Sequence, residues 1–303
     1  MWNARIKARR VAEVEAFNLL RDLDPQILKG GPLSEKKGVF WISIPKVSLS
    51  IARQRFHRLG YTQSVEMPLI VPETELQENC LELLSKGEII RWRKQYYKLL
   101  RLHETNLPTL LDDAPDKREF LLKFSDGAIH PVKGYRGDGQ ALSRRGLPTY
   151  DARMLANLVR PQVENAIFLD PFAGVGGIVI EAIRNGYKVY SMDIDPFLVY
   201  GLSNFGAHHI LANARTIPFD DATVDAIATE PPYDKIAAET VFSSLKEMVR
   251  VLRLGGRLAI FAAAWQADSL RTIGQSLELV SFLDSPVNRK GTDCVVLAWE
   301  KVK

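Results

Sequence analysis

The stretch Phe168-Leu-Asp-Pro-Phe-Ala-Gly-Val-Gly-Gly-Ile-Val-Ile-Glu-Ala182 decides the fold. It opens as a short apolar strand from Ala166 to Leu169 and turns through Asp170-Pro171-Phe172. It then crosses Gly174-Val-Gly176-Gly177 and enters a helix whose apolar residues include Ile178, Ile180 and Ile183. Glycines lack a Cβ, so this backbone can turn tightly and approach a nucleotide at a helix N-terminus. Such a loop at the carboxyl end of a first strand is where doubly wound α/β sheets bind nucleotides. The spacing departs from the dinucleotide fingerprint: counted from Gly174, the third position is Val179 rather than Gly or Ala.

Downstream the pattern continues as alternating strands and helices. Lys188-Val-Tyr-Ser-Met-Asp193 reads as a second strand ending in a carboxylate 23 residues after Asp170, about where a carboxylate grips both hydroxyls of a ribose. A third strand-like piece ends at Asn213-Ala214, and a fourth, Val224 to Thr229, runs into Glu230-Pro231-Pro232-Tyr233. Val241, Leu245, Met248 and Leu252 share one helix face. Gly255-Gly256 are expected to end that helix, and Arg257 to Ala263 to form the fifth strand. Ser276 to Leu283 and Asp293 to Trp299, around the turn Asn288-Arg-Lys-Gly-Thr292, suit two closing antiparallel strands.

Glu-Pro-Pro-Tyr resembles the Asp/Asn-Pro-Pro-Tyr signature of S-adenosylmethionine-dependent methyltransferases that modify exocyclic amines of nucleobases. Together with the Asp-Pro-Phe-Ala-Gly-x-Gly-Gly loop it is most similar to the tRNA guanosine-N2 methyltransferases that act at the base of the tRNA D-arm. The resemblance covers roughly residues 144–300, about half the chain. It implies a class I methyltransferase, an α/β fold with a seven-stranded Rossmann-like sheet and a last antiparallel hairpin. It also implies S-adenosylmethionine as cofactor, with no metal. Matching motif positions put Phe172, Ala173, Gly174 and Gly176 against its methionine part, with Asp170 near the amino group. Asp193 then takes the ribose, and Asn213 with Ala214 the adenine.

In the same resemblance Glu230, Pro231, Pro232 and Tyr233 carry the chemistry. The lone pair of an aromatic amine is delocalised into the ring. Acceptors aimed at its N–H groups draw the pair toward the sulfonium methyl and stabilise the developing positive charge. The Glu230 carboxylate and the Pro231 carbonyl are those acceptors, the two prolines restrict the turn, and Tyr233 stacks on a flipped base. Glu230 departs from the motif, which has a residue one methylene shorter. The tetrapeptide does not identify the base. A DNA or rRNA enzyme acting on adenine N6, cytosine N4 or guanine N2 stays open, as does an RNA-binding protein with weakened catalysis.

The first half is read from charge and pattern. Residues 1–164 hold 27 Lys+Arg against 20 Asp+Glu, while residues 165–303 hold 13 against 16. A basic half beside a mildly acidic one points to a polyanion partner, which the resemblance implies is RNA, and tRNA in particular. The expected division is a basic RNA-binding domain over 1–143 and the methyltransferase domain over 144–303. Family members carry an RNA-binding THUMP domain in front of the catalytic one. Here the length and charge fit a reduced version, but no motif identifies it.

Residues 4–22 read as an amphipathic helix, Gly38 to Ile44 as a strand, and Ser48 to Leu59 as a helix with Arg53, Arg55 and Arg58 on its outer face. Ile89 to Arg101 interleaves five basic residues with Trp92, Tyr96 and Tyr97. That mix serves single-stranded nucleic acid, yet Ile89, Trp92, Tyr96 and Leu99 also fall at helical spacing, which allows the aromatics to be core. Ser125-Asp126-Gly127 marks a hairpin turn. Arg144 and Arg145 are candidate phosphate or cofactor contacts, before a helix that turns Met154, Leu155 and Leu158 inward.

Composition closes other classes. No apolar run reaches the ~18–20 residues of a membrane helix, and the basic N-terminus lacks the apolar core of a signal peptide. Cys80 and Cys294 are the only cysteines, far apart and outside metal-type spacing, which fits a reducing cytoplasm. His208 and His209 likewise lack metal-ligand spacing and read as structural.

Overall fold

A computed structural model describes all residues except 5–7, 73–88, 105–108, 112–118, 124–128, 134–146, 199–201, 203–205 and 290. Two compact units emerge, Met1–Asn106 and Leu107–Lys303. The expected division between 143 and 144, the turn at 125–127 and the pair Arg144–Arg145 lie outside the described residues.

In the first unit, strands β1 (Trp2–Ala4), β2 (Gln26–Leu28), β3 (Val39–Ser43), β4 (Thr62–Val71), β5 (Ile89–Trp92) and β6 (Gln95–Glu104) form one sheet in the order β2-β3-β1-β4-β6-β5. Helix α1 spans Arg9–Leu19, shorter than the expected 4–22, because Trp2–Ala4 is drawn into the sheet between β3 and β4. Trp2 stacks on Phe40 and meets Phe56 edge-on. The buried Glu15 carboxylate of α1 accepts from the N–H groups of Gly60 and Tyr61, at 2.7 and 2.8 Å. Helix α2 (Leu49–Arg55) continues as a 3-10 turn over Phe56–Arg58 and buries Ala52 and Phe56. Of its arginines, Arg55 is taken up by Asp22 and the Leu19 carbonyl.

Ile89 to Arg101 is a hairpin rather than a helix. Arg93 and Lys94 both adopt positive φ, 47° and 66°, the two-residue turn that matches strand twist. Strand pairing, Arg91 with Tyr96 and Trp92 with Gln95, removes the helical spacing of the aromatics. Arg91 and Arg93 lie over the rings of Tyr96 and Trp92.

The second unit contains a small antiparallel sheet of β7 (Thr109–Leu111), β8 (Glu119–Lys123) and β9 (Ile129–Lys133). Its main sheet has seven strands: β10 (Ile167–Asp170), β11 (Lys188–Asp193), β12 (His208–Leu211), β13 (Val224–Thr229), β14 (Leu252–Ala263), β15 (Leu279–Arg289) and β16 (Thr292–Lys301). Their order is β12-β11-β10-β13-β14-β16-β15. The first five are parallel, while β16 runs antiparallel to both β14 and β15. This is the class I methyltransferase sheet. The strand order reverses between β10 and β13, and ligands bind at the carboxyl ends of strands at such a switch point.

The helices of this unit are α3 (Thr149–Leu158), α4 (Gly177–Arg184), α5 (Ala238–Val251) and α6 (Ala267–Ser276). Strands β10, β13 and β14 read as apolar runs because both faces are covered. Leu169, Ile227, Leu258 and Ile260 join Val241, Leu245 and Met248 of α5 in one core. Helix α5 ends at Val251, ahead of the glycines expected to stop it. Gly255 instead sits within β14 at φ +73°, where the register against β13 shifts. Arg153 of α3 meets Glu181 of α4 in a buried ion pair at 3.2 Å. Among the described residues no helix is long and apolar enough to cross a membrane.

Candidate active site

The glycine loop is held from beneath by β11. Ala173 N–H donates to the Met192 carbonyl at 2.8 Å, and Gly174 N–H to Asp193 Oδ2 at 2.9 Å. Gly174 and Gly176 have φ of +51° and +87°, a region that favours glycine. A Cβ built on Gly174 meets nothing within 4 Å, so the loop backbone borders open space. Asp193 Oδ1 accepts from Asp195 N–H at 3.0 Å. Asp193 thus braces the loop from the end of β11.

Asp170 ends β10 and is 1% exposed. Its Oδ1 accepts from the Thr229 hydroxyl at 2.7 Å and from Phe172 N–H at 3.3 Å. Burial pushes its carboxyl up to about 7, assisted by the charges of Asp193 and Glu230 and opposed by those two hydrogen bonds. Asp170 therefore ties β13 to the loop from below. Phe172 packs on the core and Ala173 is buried. Asn213 is exposed, its Oδ1 accepting from Arg215 N–H at 2.9 Å, while Ala214 is buried. His209 Nδ1 lies 3.0 Å from Ser191 Oγ and His208 stacks on Tyr190. Among the described residues no His, Cys, Asp and Glu group is arranged to hold a metal.

Glu230 to Tyr233 follow β13 beside this loop. Two contacts from the 3-10 turn Ala264–Gln266 hold the tetrapeptide. Gln266 Nε2 donates to the Pro232 carbonyl at 2.9 Å, and Trp265 Nε1 to the Tyr233 carbonyl at 3.0 Å. Gln266 is fully buried, and its Oε1 also accepts from Ala263 N–H at 3.0 Å. The Tyr233 hydroxyl donates to Glu230 Oε1. Burial and the Glu230 charge push that phenol far above its usual range, so it stays protonated and donating.

Sequence reasoning missed a further participant. Arg289 Nη1 donates to the same Glu230 Oε1, and Arg289 Nε lies 3.7 Å from Asp151 Oδ2. Burial works against its charge, but Glu230, Asp151 and Tyr233 outweigh it and hold the guanidinium above its ordinary value. The segment 288–292 had signalled only a turn. The sheet order makes it more: β15 ends and β16 begins at the edge where the parallel strands end. Gln266, Trp265 and Asp151 carried no local signal.

The donor set suits a nucleoside-bearing cation. A glycine backbone facing open space, a carboxylate at the end of β11 and a buried carboxyl at the end of β10 match the parts of S-adenosylmethionine.

A family model described as a methyltransferase domain matches residues 169–260. The tRNA (guanine(10)-N2)-dimethyltransferase of Pyrococcus abyssi is 36% identical over 169 residues, covering 48% of this chain and 50% of that protein. A probable tRNA (guanine(10)-N2)-dimethyltransferase of Methanothermococcus thermolithotrophicus is 30% identical over 160 residues, 46% of this chain and 92% of the relative. The chain thus spans half the length of the Pyrococcus protein and nearly all of the Methanothermococcus one. The crystal structure of TrmN from Thermus thermophilus superposes with a TM-score of 0.47 at 19% identity, over 77% of this chain and 68% of that one. With the class I sheet order and the paired motifs, the chain belongs to the tRNA guanine-N2 methyltransferase family of class I S-adenosylmethionine-dependent enzymes.

Proposed function

We propose that the protein transfers a methyl group from S-adenosylmethionine to N2 of a guanosine in tRNA. The observation that carries this reading is the placement of Glu230-Pro-Pro-Tyr233 after β13, beside the glycine loop between β10 and α4. When bound, S-adenosylmethionine supplies an electrophilic methyl on a sulfonium. Asp193 takes the ribose hydroxyls, Phe172 to Gly176 the methionine part, and Asn213 with Ala214 the adenine. Asp170 supports the loop beside the amino group. Glu230 and the Pro231 carbonyl accept from the exocyclic amine, drawing its lone pair out of conjugation and balancing the charge that develops. Tyr233 braces Glu230 through its hydroxyl and offers its ring to a base taken out of pairing. Such stacking contributes about 1–3 kcal/mol, comparable to the cost of flipping.

The basic N-terminal part, assigned here to residues 1–143, holds tRNA, and residues 144–303 perform the transfer. Its support is the charge asymmetry and the exposed Arg91, Arg93, Lys94 and Lys98 of the β5–β6 hairpin. A cytoplasmic setting accords with a nucleic-acid substrate and two cysteines in 303 residues. The test is incubation of the protein with methyl-labelled S-adenosylmethionine and bulk unmodified tRNA, followed by nucleoside analysis. Label in N2-methylguanosine or N2,N2-dimethylguanosine supports the assignment; label in N6-methyladenosine or N4-methylcytidine, or in none, overturns it.

A further inference from the structure

The extra methylene of Glu230 has a physical counterpart in the fold. A longer acid at a position suited to a shorter one gains a rotatable bond and reaches further, and both work against a fixed acceptor. Glu230 Oε1 nevertheless receives two donors from different elements, the Tyr233 hydroxyl of its own loop and Nη1 of Arg289 at the end of β15. The guanidinium is itself positioned on two other sides. Asp151 of α3 lies 3.7 Å from its Nε, and the Phe261 ring of β14 lies beneath it at 5.9 Å. Asp151 is 1% exposed, and Arg289 and Glu230 are each about one-fifth exposed at the side chain, so water only partly screens the pair.

We propose that Arg289 is a positioning residue for the methyl transfer, anchoring Glu230 through Oε1 so that Oε2 is left to accept from the base amine. This rests on the function proposed above. Among the described residues both donors to Glu230 fall on Oε1 and none on Oε2. The anchor is a planar fork rather than a point charge, so it fixes direction as well as distance. Displacement of about 1 Å at a reacting centre costs on the order of 100-fold in rate, and a glutamate freed from β15 has that latitude.

Single-turnover methylation of unmodified tRNA, measured below each variant's melting temperature, separates this role from a merely structural ion pair. Arg289→Gln should slow the transfer step by roughly 10- to 100-fold. Tight binding of tRNA and of S-adenosylhomocysteine should persist. Arg289→Lys should recover part of the rate, and Arg289→Gln with Glu230→Gln should be no slower than Glu230→Gln alone. If Arg289→Gln folds poorly, Asp151→Asn loosens the guanidinium from its other side and should give a smaller loss of rate, again with cofactor affinity kept. A wild-type rate in Arg289→Gln, additive losses with Glu230→Gln, or an equal fall in cofactor affinity each overturns the assignment while leaving the reaction intact. Wild-type protein that methylates no tRNA overturns the reaction, and this assignment with it.

Discussion

The two halves of the site are built differently. The proposed cofactor side is built mainly from backbone: a glycine loop, a strand end and the N–H groups of Gly174 and Asp195 on one carboxylate lie between residues 170 and 195, with Asn213 and Ala214 after β12. The acceptor side is assembled by side chains from afar, with Gln266 and Trp265 on the carbonyls of Pro232 and Tyr233 and Arg289 on Glu230. Backbone architecture follows from local sequence and tolerates change elsewhere. An acceptor held by long-range contacts can be retuned from another strand, as proposed for Glu230 and Arg289.

This contrast breaks if changes on one side propagate to the other. The largest effect is expected for Asp193→Ala, which removes the ribose acceptors and frees the N–H groups of Gly174 and Asp195. Two charge-assisted hydrogen bonds at ~1.5–3 kcal/mol each predict a loss of roughly 10²- to 10⁴-fold in S-adenosylhomocysteine affinity by calorimetry. An affinity within threefold of wild type would place the ribose elsewhere.

Next in size is Gln266→Leu. It leaves the Pro232 carbonyl and the Ala263 N–H without their buried partner, which should cost about 1–3 kcal/mol of stability. The account requires turnover to fall while cofactor affinity holds. An unchanged melting temperature would show that the tetrapeptide does not depend on this anchor.

The smallest effect sharpens the role of Asp170. Its carboxyl, raised to about 7 by burial, holds a proton that the unfolded chain releases near 3.8. The folded state thus binds more protons between those values, and this group's contribution to stability falls as pH rises through that window. A cationic ligand beside it favours the ionised form. Binding of S-adenosylhomocysteine, which keeps the ammonium, should release a fraction of a proton at pH 6.5, seen as buffer-dependent heats. Asp170→Asn should abolish that release; persistence would move the ammonium away from β10.

Legibility divided along the same line. Strand, glycine turn, helix and second strand follow one another without a break, so Asp170, Gly174, Gly176 and Asp193 were visible as a group. Thr229-Glu-Pro-Pro-Tyr was visible through its resemblance to the Asp/Asn-Pro-Pro-Tyr motif and its place after an apolar strand. Arg289 was hidden because Asn-Arg-Lys-Gly has the chemistry of any turn. Only the order β14-β16-β15 brings it to the carboxyl edge. Ile89 to Arg101 misled because Ile89, Trp92, Tyr96 and Leu99 recur at intervals of three and four, and the turn at Arg93-Lys94 contains no glycine. Gly255 misled in the opposite sense, as a helix-ending glycine that the fold spends on a strand irregularity.

The central claim is that the two sides work separately, one binding the cofactor and the other accepting from the amine. Glu230→Gln tests it most directly, with S-adenosylhomocysteine affinity and single-turnover methylation of tRNA measured on one preparation. Affinity should stay within about threefold of wild type, while the transfer rate falls by roughly 10²–10³, the loss that follows deletion of one transition-state hydrogen-bonding group. An unchanged rate, or a rate and an affinity that fall together, would contradict it.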